Sequence, residues 1–393
     1  MVYLDYNATT PVDAEVLEEM LPFLEDGFGN PSSMHGAGRQ ARAGIDRARE
    51  RLADLLGARP HEIIFTSGGT ESCNLAILGL ARARKSLGRH VISAVTEHPA
   101  VLESVKFLRD QEGYEATLLP VDAAGHVSLD SLAEAIRPDT TLVSIMSANN
   151  ETGVIQPIVE IGTLCRERGV FFHTDAIQSF GKLPTRPGEM CVDALSLAAH
   201  KFHGPKGAGA LWVRSGQDVV RMGHGGGHEN SRRPGTENTA AIVGLAAAAE
   251  LAERRREAEA ERLLPLREAL WEAILEVAPF ARRNAAGGLC NTLNVGFPGC
   301  DGESLLMALD LEGICVSTGS ACMVGSMQVS HVLLAMGIDP KTASASLRFS
   351  LGTGTTVADI SRCRKALENT LARQNNPTTQ PTQPIYESEA IAV

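Results

Sequence analysis

The sequence predicts a two-domain α/β protein, with a mainly parallel sheet in the large domain and a smaller α+β domain beside it. Three observations support this. The chain has 393 residues, more than one compact core usually holds. From residue 36 to about 260, short apolar runs alternate with helical patterns, as in a parallel sheet covered by helices on both faces. Beyond Pro265 the pattern of strands and helices changes.

The large domain begins with a helix over 39–56, where apolar residues recur at helical spacing. Strands are predicted at 62–66, 90–95, 141–146, 170–174, 194–197 and 208–213, and the stretch Gly68–Ser72 opens a helix. A long helix rich in Ala, Glu and Arg covers about 238–263. We expect it to end near Pro265, because proline cannot donate a backbone hydrogen bond.

The smaller domain is predicted to hold a helix near 266–277, strands at 291–297 and 312–316, and a capped helix that starts at Thr356. The predicted boundaries are 15–263 for the large domain, and 1–14 with 264–373 for the small one. Residues 374–393 are rich in Pro, Thr and Gln, which predicts a disordered tail.

The composition argues against several classes of partner. The net charge of −11 disfavours nucleic acid and anionic membranes. No apolar run approaches the ~20 residues of a membrane span, and the first residues lack the pattern of a signal peptide. The eight cysteines are scattered without a C-x-x-C pair, so neither a disulfide framework nor a metal site is predicted. We expect reduced thiols and a cytoplasmic location.

Polar residues follow five of the predicted strands, at the edge where parallel α/β sheets bind ligands. Alone, each has a structural interpretation: a glycine turn with a helix cap, or a His or Asp that only hydrogen-bonds. Together they offer a phosphate site, a carboxylate and a lysine, which suit pyridoxal phosphate. The stretches are Thr66–Ser72, Thr96–His98, Ser147–Gly153, His173–Gln178 and Ala199–Lys201.

With these stretches in their order and spacing, the chain resembles cysteine desulfurases of the NifS/IscS type, which belong to the class-V aminotransferases and to fold type I of the pyridoxal phosphate enzymes. The resemblance runs from Leu4 to about residue 370 and implies a seven-stranded, mainly parallel sheet in the large domain. Its other segments are Leu4–Pro11, Gly29–His35, Gly225–Glu229, Arg233–Asn238, Ser317–Cys322 and Leu347–Gly352.

The resemblance also implies roles for individual residues. Lys201 is the Schiff-base lysine and moves protons, and His98 stacks on the cofactor ring and takes part in proton transfer. Arg348, with Asn150, binds the carboxylate of the substrate. The remaining cofactor contacts are Asp175 at the pyridine nitrogen, Gln178 at the phenolic oxygen, Gly69, Thr70 and His200 at the phosphate, and Thr236 at the phosphate of the partner subunit in a homodimer.

The most consequential implied role is that of Cys322, which lies in a small, glycine-containing stretch typical of a mobile loop. Its thiolate attacks the sulfur of L-cysteine, which becomes L-alanine, and the resulting persulfide passes to an acceptor such as an iron–sulfur scaffold protein. Two alternatives stay open: a selenocysteine lyase or other β-lyase, and a catalytically weak scaffold protein.

Three departures from the family pattern bear on these roles. Ala198 replaces a serine that contacts the phosphate, Met323-Val324 replaces Thr-Ser after the cysteine, and Thr353-Gly354 follows Leu351-Gly352 where an arginine is common.

Overall fold

The computed structural model describes residues 1–318 and 329–374. Its strands are β1 Val2–Tyr3, β2 Ile63–Thr66, β3 His90–Ala94, β4 Glu115–Leu119, β5 Thr140–Ser144, β6 Phe171–Asp175, β7 Ala194–Ala198, β8 Gly209–Val213, β9 Arg282–Arg283, β10 Thr292–Gly296, β11 Ile314–Cys315 and β12 Ser346–Ser350. Seven of them form the large sheet, in the order β2-β8-β7-β6-β5-β3-β4. β8 runs antiparallel to β7 and β2, while the pairs among β3, β4, β5, β6 and β7 are parallel. The predicted α/β fold with a seven-stranded, mainly parallel sheet is confirmed.

Helices cover this sheet and continue into the second part of the chain. They are α1 Ala14–Leu24, α2 Gly36–Leu56, α3 Gly69–Asn74, α4 Leu80–Ala83, α5 Pro99–Glu112, α6 Leu129–Ala135, α7 Ile158–Glu167, α8 His228–Ser231, α9 Thr239–Val277, α10 Gly302–Leu311, α11 His331–Ala335, α12 Pro340–Ser344 and α13 Val357–Gln374. A π-helical turn, Leu75–Gly79, joins α3 to α4. In α8, Glu229 and Asn230 have left-handed backbone conformations, so this element is an irregular turn.

The second part of the chain has small sheets of its own. β10 pairs antiparallel with β12 and β9, and β1 pairs parallel with β11. Leu4 is buried in the same hydrophobic cluster as Leu293 and Phe349. A separate cluster surrounds the large sheet and includes Ile45 and Phe172. The domain boundaries at 14/15 and 263/264 stay a prediction.

The prediction that the long helix ends near Pro265 is wrong. α9 runs unbroken from Thr239 to Val277, with Pro265 inside it. Its first half packs in the cluster of the large sheet, through residues such as Leu245. Its second half packs in the other cluster, through residues such as Leu270. Pro265 is exposed, so packing on both sides of it outweighs the one missing backbone hydrogen bond.

None of the helices in residues 1–318 and 329–374 combines the length and the hydropathy of a membrane span. Gln374, the first residue of the predicted tail, is the last residue of α13. The rest of the tail lies outside the described residues.

Candidate active site

A cavity of about 1090 Å³ opens at the carboxyl ends of the parallel strands. Most of the predicted site residues line it, although they come from distant parts of the chain. They are Gly69, Thr70, His98, Asn150, Asp175, Gln178, His200, Lys201 and Arg348.

Lys201 ends the 3₁₀ turn Ala199–Lys201, which directly follows β7. Its Nζ donates hydrogen bonds to the carbonyl oxygens of Asn7, at 2.6 Å, and Ala8, at 2.9 Å. The N-terminal segment therefore holds the lysine amine at the wall of the cavity, within reach of a ligand.

Asp175 is the last residue of β6 and is buried. Its Oδ1 accepts a hydrogen bond from the backbone N–H of Ile177 at 2.9 Å. Burial raises the pKa of this carboxyl, so a cationic group beside it would be needed to favour the ionised form.

His98 caps the start of α5, where its Nδ1 accepts a hydrogen bond from the backbone N–H of Ala100 at 3.1 Å. An accepting Nδ1 places the proton of the neutral ring on Nε2. Burial lowers the pKa of His98, which favours this neutral ring near pH 7.

Two side chains bring unpaired, buried polar atoms to the cavity. Gln178 donates through Nε2 to the carbonyl oxygen of Asn7 at 2.8 Å, but its Oε1 has no partner among the described residues. Arg348 donates to Asp5 at 2.7 Å and to the carbonyl oxygen of Asn150 at 3.0 Å. Its buried Nε has no partner among these residues either. Buried polar atoms are rarely left unpaired, so both indicate a ligand.

The start of α3 forms a narrow cradle against the sheet. A Cβ on Gly69 would lie 2.3 Å from the side chain of Ile177, and a Cβ on Gly209 would lie 2.7 Å from the backbone of Gly68. The glycines therefore let the backbone approach closely, and the N–H groups that open the helix can hold an anion. The site as a whole fits pyridoxal phosphate: an amine, a buried carboxylate, an anion cradle and unpaired polar atoms.

His200 adds a second group near the cradle. Its Nδ1 lies 3.2 Å from the hydroxyl of Thr9, and burial lowers its pKa to about 4. It is therefore neutral at pH 7 and can donate one hydrogen bond to a phosphate. Ala198, also at the cavity, has no side-chain polar group, so the contact that a serine could make is missing.

Two of the predicted residues are not brought into this cavity. Thr236 lines a separate cavity of about 230 Å³, with residues such as Ser67 and Arg233. Within a single chain it is thus apart from Lys201. Cys322 and the departure Met323-Val324 lie outside the described residues.

The described residues before and after Cys322 form hydrogen bonds with residues at or next to the cavity. Ser317 exchanges two backbone hydrogen bonds with Arg348, at 3.1 and 2.6 Å. Ser330 donates its hydroxyl hydrogen bond to Glu151 at 2.5 Å. The described chain therefore ends beside Arg348 before Cys322 and resumes beside Glu151 after it.

Asn7 is a site residue that the sequence reasoning missed. Its carbonyl oxygen accepts from both Lys201 and Gln178, and its Nδ2 donates to the carbonyl oxygen of Asn150 at 3.1 Å. The segment Leu4–Pro11 was part of the resemblance. However, every residue has a backbone carbonyl group, so the residue type at position 7 could not indicate that this one accepts hydrogen bonds in the site.

The comparisons with known proteins agree with this geometry. Residues 2–363 match the family model described as aminotransferase class-V. Cysteine desulfurase IscS of Dictyoglomus turgidum is 47% identical over 374 residues, which cover 95% of each chain. A solved NifS-like protein has a TM-score of 0.89 and 38% identity, covering 95% of this chain and 99% of its own. The solved structure of SspA in complex with cysteine has a TM-score of 0.80 and 41% identity, covering 89% and 99%. The predicted resemblance is confirmed, and the chain belongs to the aminotransferase class-V family, with the fold of the NifS-like pyridoxal phosphate enzymes.

Proposed function

We propose that this protein is a cysteine desulfurase that converts L-cysteine to L-alanine and passes the sulfur through Cys322 to an acceptor protein for iron–sulfur cluster assembly. The observation that carries the proposal is the meeting of Lys201, Asp175, Gln178 and Arg348 in one cavity. An amine, a buried carboxylate, an amide and a guanidinium suit an amino acid bound to pyridoxal phosphate. The relatives named cysteine desulfurase IscS support the choice of substrate.

The cofactor is pyridoxal phosphate, which supplies an electron sink when it is bound. Lys201 would hold it covalently through Nζ, and Asp175 would pair with the ring nitrogen. The cradle at Gly69 and Thr70, together with His200, would hold the phosphate. Gln178 keeps Oε1 free for a hydroxyl on the ring.

Arg348 orients the substrate. Asp5 and the carbonyl oxygen of Asn150 hold the two Nη atoms, so the plane of the guanidinium is fixed before a substrate arrives. The unpaired Nε would be available to donate to the α-carboxylate, and Asn150, which lines the same cavity, would assist. A planar guanidinium that is held at two atoms favours one orientation of the substrate carboxylate, in addition to its negative charge.

Proton transfer belongs to Lys201 and His98. The amine of Lys201, at the wall of the cavity, would move a proton to and from Cα of the substrate. His98, neutral and with its ring proton on Nε2, would donate a hydrogen bond from Nε2, at the opposite end of its ring from Ala100, and so hold a proton at that atom. Both side chains line the same cavity, so a proton need not leave the site.

The sulfur step conserves atoms and electrons. The Cys322 thiolate forms an S–S bond with the sulfur of cysteine while the Cβ–S bond breaks. The sulfur of Cys322 is oxidised to the persulfide level, and Cβ is reduced to the methyl group of alanine after protonation. An acceptor thiol then removes the outer sulfur.

The protein acts as a homodimer in this proposal, because Thr236 reaches the phosphate of the partner subunit. The segment with Thr236 is tied down in its own subunit. Arg233 pairs with Glu71 at 2.8 Å, and Arg49 pairs with Glu229 at 2.6 Å. These pairs support a preformed loop at a subunit interface. A cytoplasmic location stays a prediction.

The test is to incubate the purified enzyme with L-cysteine and dithiothreitol, and to measure alanine and sulfide together. We expect equal amounts of both from the wild type. Cys322→Ser should abolish both products while the bound cofactor keeps its visible absorption. Cys300→Ser, a change at a partly exposed thiol elsewhere in the chain, should behave as the wild type.

Full activity in Cys322→Ser would refute the persulfide route. In that case selenocysteine and other β-substituted amino acids would be tried. Absence of product from the wild type with every such substrate would favour the scaffold alternative.

A further inference from the structure

A fully buried thiol lies directly beside Asp175. Cys73, in the last turn of α3, has no exposed surface. Its Sγ donates a hydrogen bond to Oδ2 of Asp175 at 3.5 Å. Burial and the nearby Asp175 carboxylate raise the pKa of Cys73 well above its usual range, so the group is a thiol and a donor throughout the working pH range.

The same helical turn carries the phosphate cradle. Thr70 and Cys73 are three residues apart and so lie on one face of α3. Ser72 anchors this turn to the sheet, because its hydroxyl lies 2.9 Å from that of Ser196 and 2.8 Å from the carbonyl oxygen of Ala210. One rigid turn thus fixes the distance between the phosphate end of the site and the carboxylate of Asp175.

We propose that Cys73 is a positioning residue for the cofactor: its thiol, together with the N–H of Ile177, keeps Asp175 ionised so that the ring nitrogen stays protonated. The inference rests on the proposed function, which places the ring nitrogen at Asp175. Cys73 touches neither substrate nor cofactor in this role and acts through the carboxylate alone.

The surroundings of Asp175 show why two donors matter. Burial favours the neutral acid of Asp175. Burial, together with the charge of Asp175, also raises the pKa of the nearby Glu97 carboxyl well above its usual range. His98 and Lys201 act in the opposite sense. The direct hydrogen bonds to the carboxylate come from Ile177 on Oδ1 and Cys73 on Oδ2. Without the thiol, the shared proton moves from the ring nitrogen to Oδ2, and the ring loses electron-withdrawing power.

The experiment compares the wild type with Cys73→Ala, both loaded with pyridoxal phosphate labelled with ¹⁵N in the ring. The ¹⁵N chemical shift reports protonation of the ring nitrogen without reference to activity. In Cys73→Ala we expect the ratio of protonated to unprotonated nitrogen to fall about 3- to 10-fold, the effect of losing a weak donor to a charged acceptor. The pH midpoint of the visible absorption band should rise, because a less cationic ring leaves the linkage to Lys201 more basic.

Two further variants separate donation from packing. Cys73→Ser keeps a donor and should shift the ¹⁵N signal less than Cys73→Ala does. Cys165→Ala removes another fully buried thiol, which packs against the large sheet away from Asp175, and should leave the signal unchanged.

Equal shifts in the Ala and Ser variants, or no shift in either, would overturn the role of Cys73. A wild type that does not retain the cofactor would instead refute the proposed function. The two failures are therefore distinguishable.

Discussion

Replacement of Arg348 by lysine tests the proposed contact between its guanidinium and the α-carboxylate of the substrate. In the structure the guanidinium is nearly buried, and its two Nη atoms are held by Asp5 and by the carbonyl oxygen of Asn150. Lysine keeps the positive charge, but it presents a single ammonium group on a flexible stem. It can reach Asp5 or the substrate, and it cannot hold both in one plane.

The magnitude follows from the contacts that are lost. A hydrogen bond to a charged group contributes about 1.5–3 kcal/mol, and the variant loses the fixed donor to the α-carboxylate and part of its support. We therefore expect Arg348→Lys to lower kcat/KM for L-cysteine by about 2–4 kcal/mol of transition-state stabilisation, or roughly 30- to 1,000-fold.

The assay compares L-cysteine with cysteamine, which lacks the carboxylate. If Arg348 binds that carboxylate, the loss falls on L-cysteine, and the weak reaction of cysteamine changes by less than about 3-fold. Arg262→Lys is the matched control, because Arg262 donates to the carbonyl oxygens of Gly352 and Thr355 in the same part of the chain but does not line the cavity. An equal loss for both substrates would refute the assignment.

Three other substitutions test separate features of the molecule. Burial lowers the pKa of His173 to about 3, from 6.5, so the unfolded chain takes up the proton first and stability falls as the pH drops below 6.5. Between pH 7 and pH 5 this loss of stability amounts to roughly 2 kcal/mol. Measured by urea unfolding, the free energy of unfolding of His173→Gln should fall by that much less than the wild type's over the same pH range. An identical pH dependence in the two proteins would contradict the reasoning. Ala198→Ser should retain pyridoxal phosphate about 5- to 10-fold more tightly in equilibrium dialysis, by restoring one hydrogen bond to the phosphate, and unchanged or weaker retention would show that the hydroxyl does not reach it. Pro265→Ala should raise the free energy of unfolding by about 2–3 kcal/mol, because it restores a backbone donor at an exposed position inside α9. A free energy of unfolding below that of the wild type would mean that the proline stabilises the chain through its unfolded state.

The strands of the large sheet could be predicted because both faces of a central parallel strand are buried. β5, β6 and β7 are buried along their whole length and read as short continuous apolar runs. β4 was missed, because it lies at the edge of the sheet and exposes Glu115 and Leu118. The end of α9 was misplaced for a different reason: local proline chemistry was given more weight than packing that only the folded chain provides.

The residues of the site also fall into those that the sequence could indicate and those that it could not. Ionisable side chains such as Lys201 and Asp175 lie at the ends of strands. Because the carboxyl ends of parallel strands lie at one edge of the sheet, the sequence could predict that these side chains line one cavity. Asp5 and Asn7 gave no such signal, because their roles depend on where the N-terminal segment lies. Cys73 gave none either, since its contact with Asp175 joins a helix to a strand about a hundred positions further along the chain.

The N-terminal segment connects the two ends of the site. Asp5 holds the guanidinium of Arg348, which stands in the sheet of β10 and β12. Two residues later, the carbonyl oxygen of Asn7 accepts the amine of Lys201, and Thr10 contacts the carbonyl oxygen of His200 at 3.0 Å. Arg348 lies in β12, and Lys201 lies in the turn that follows β7 of the large sheet, and the two sheets have separate hydrophobic clusters. Since one six-residue stretch bonds to both, it fixes the position of Arg348 relative to Lys201. The segment therefore sets the distance over which a cysteine must fit, which explains why residues this far from the motifs of the large sheet take part in the site.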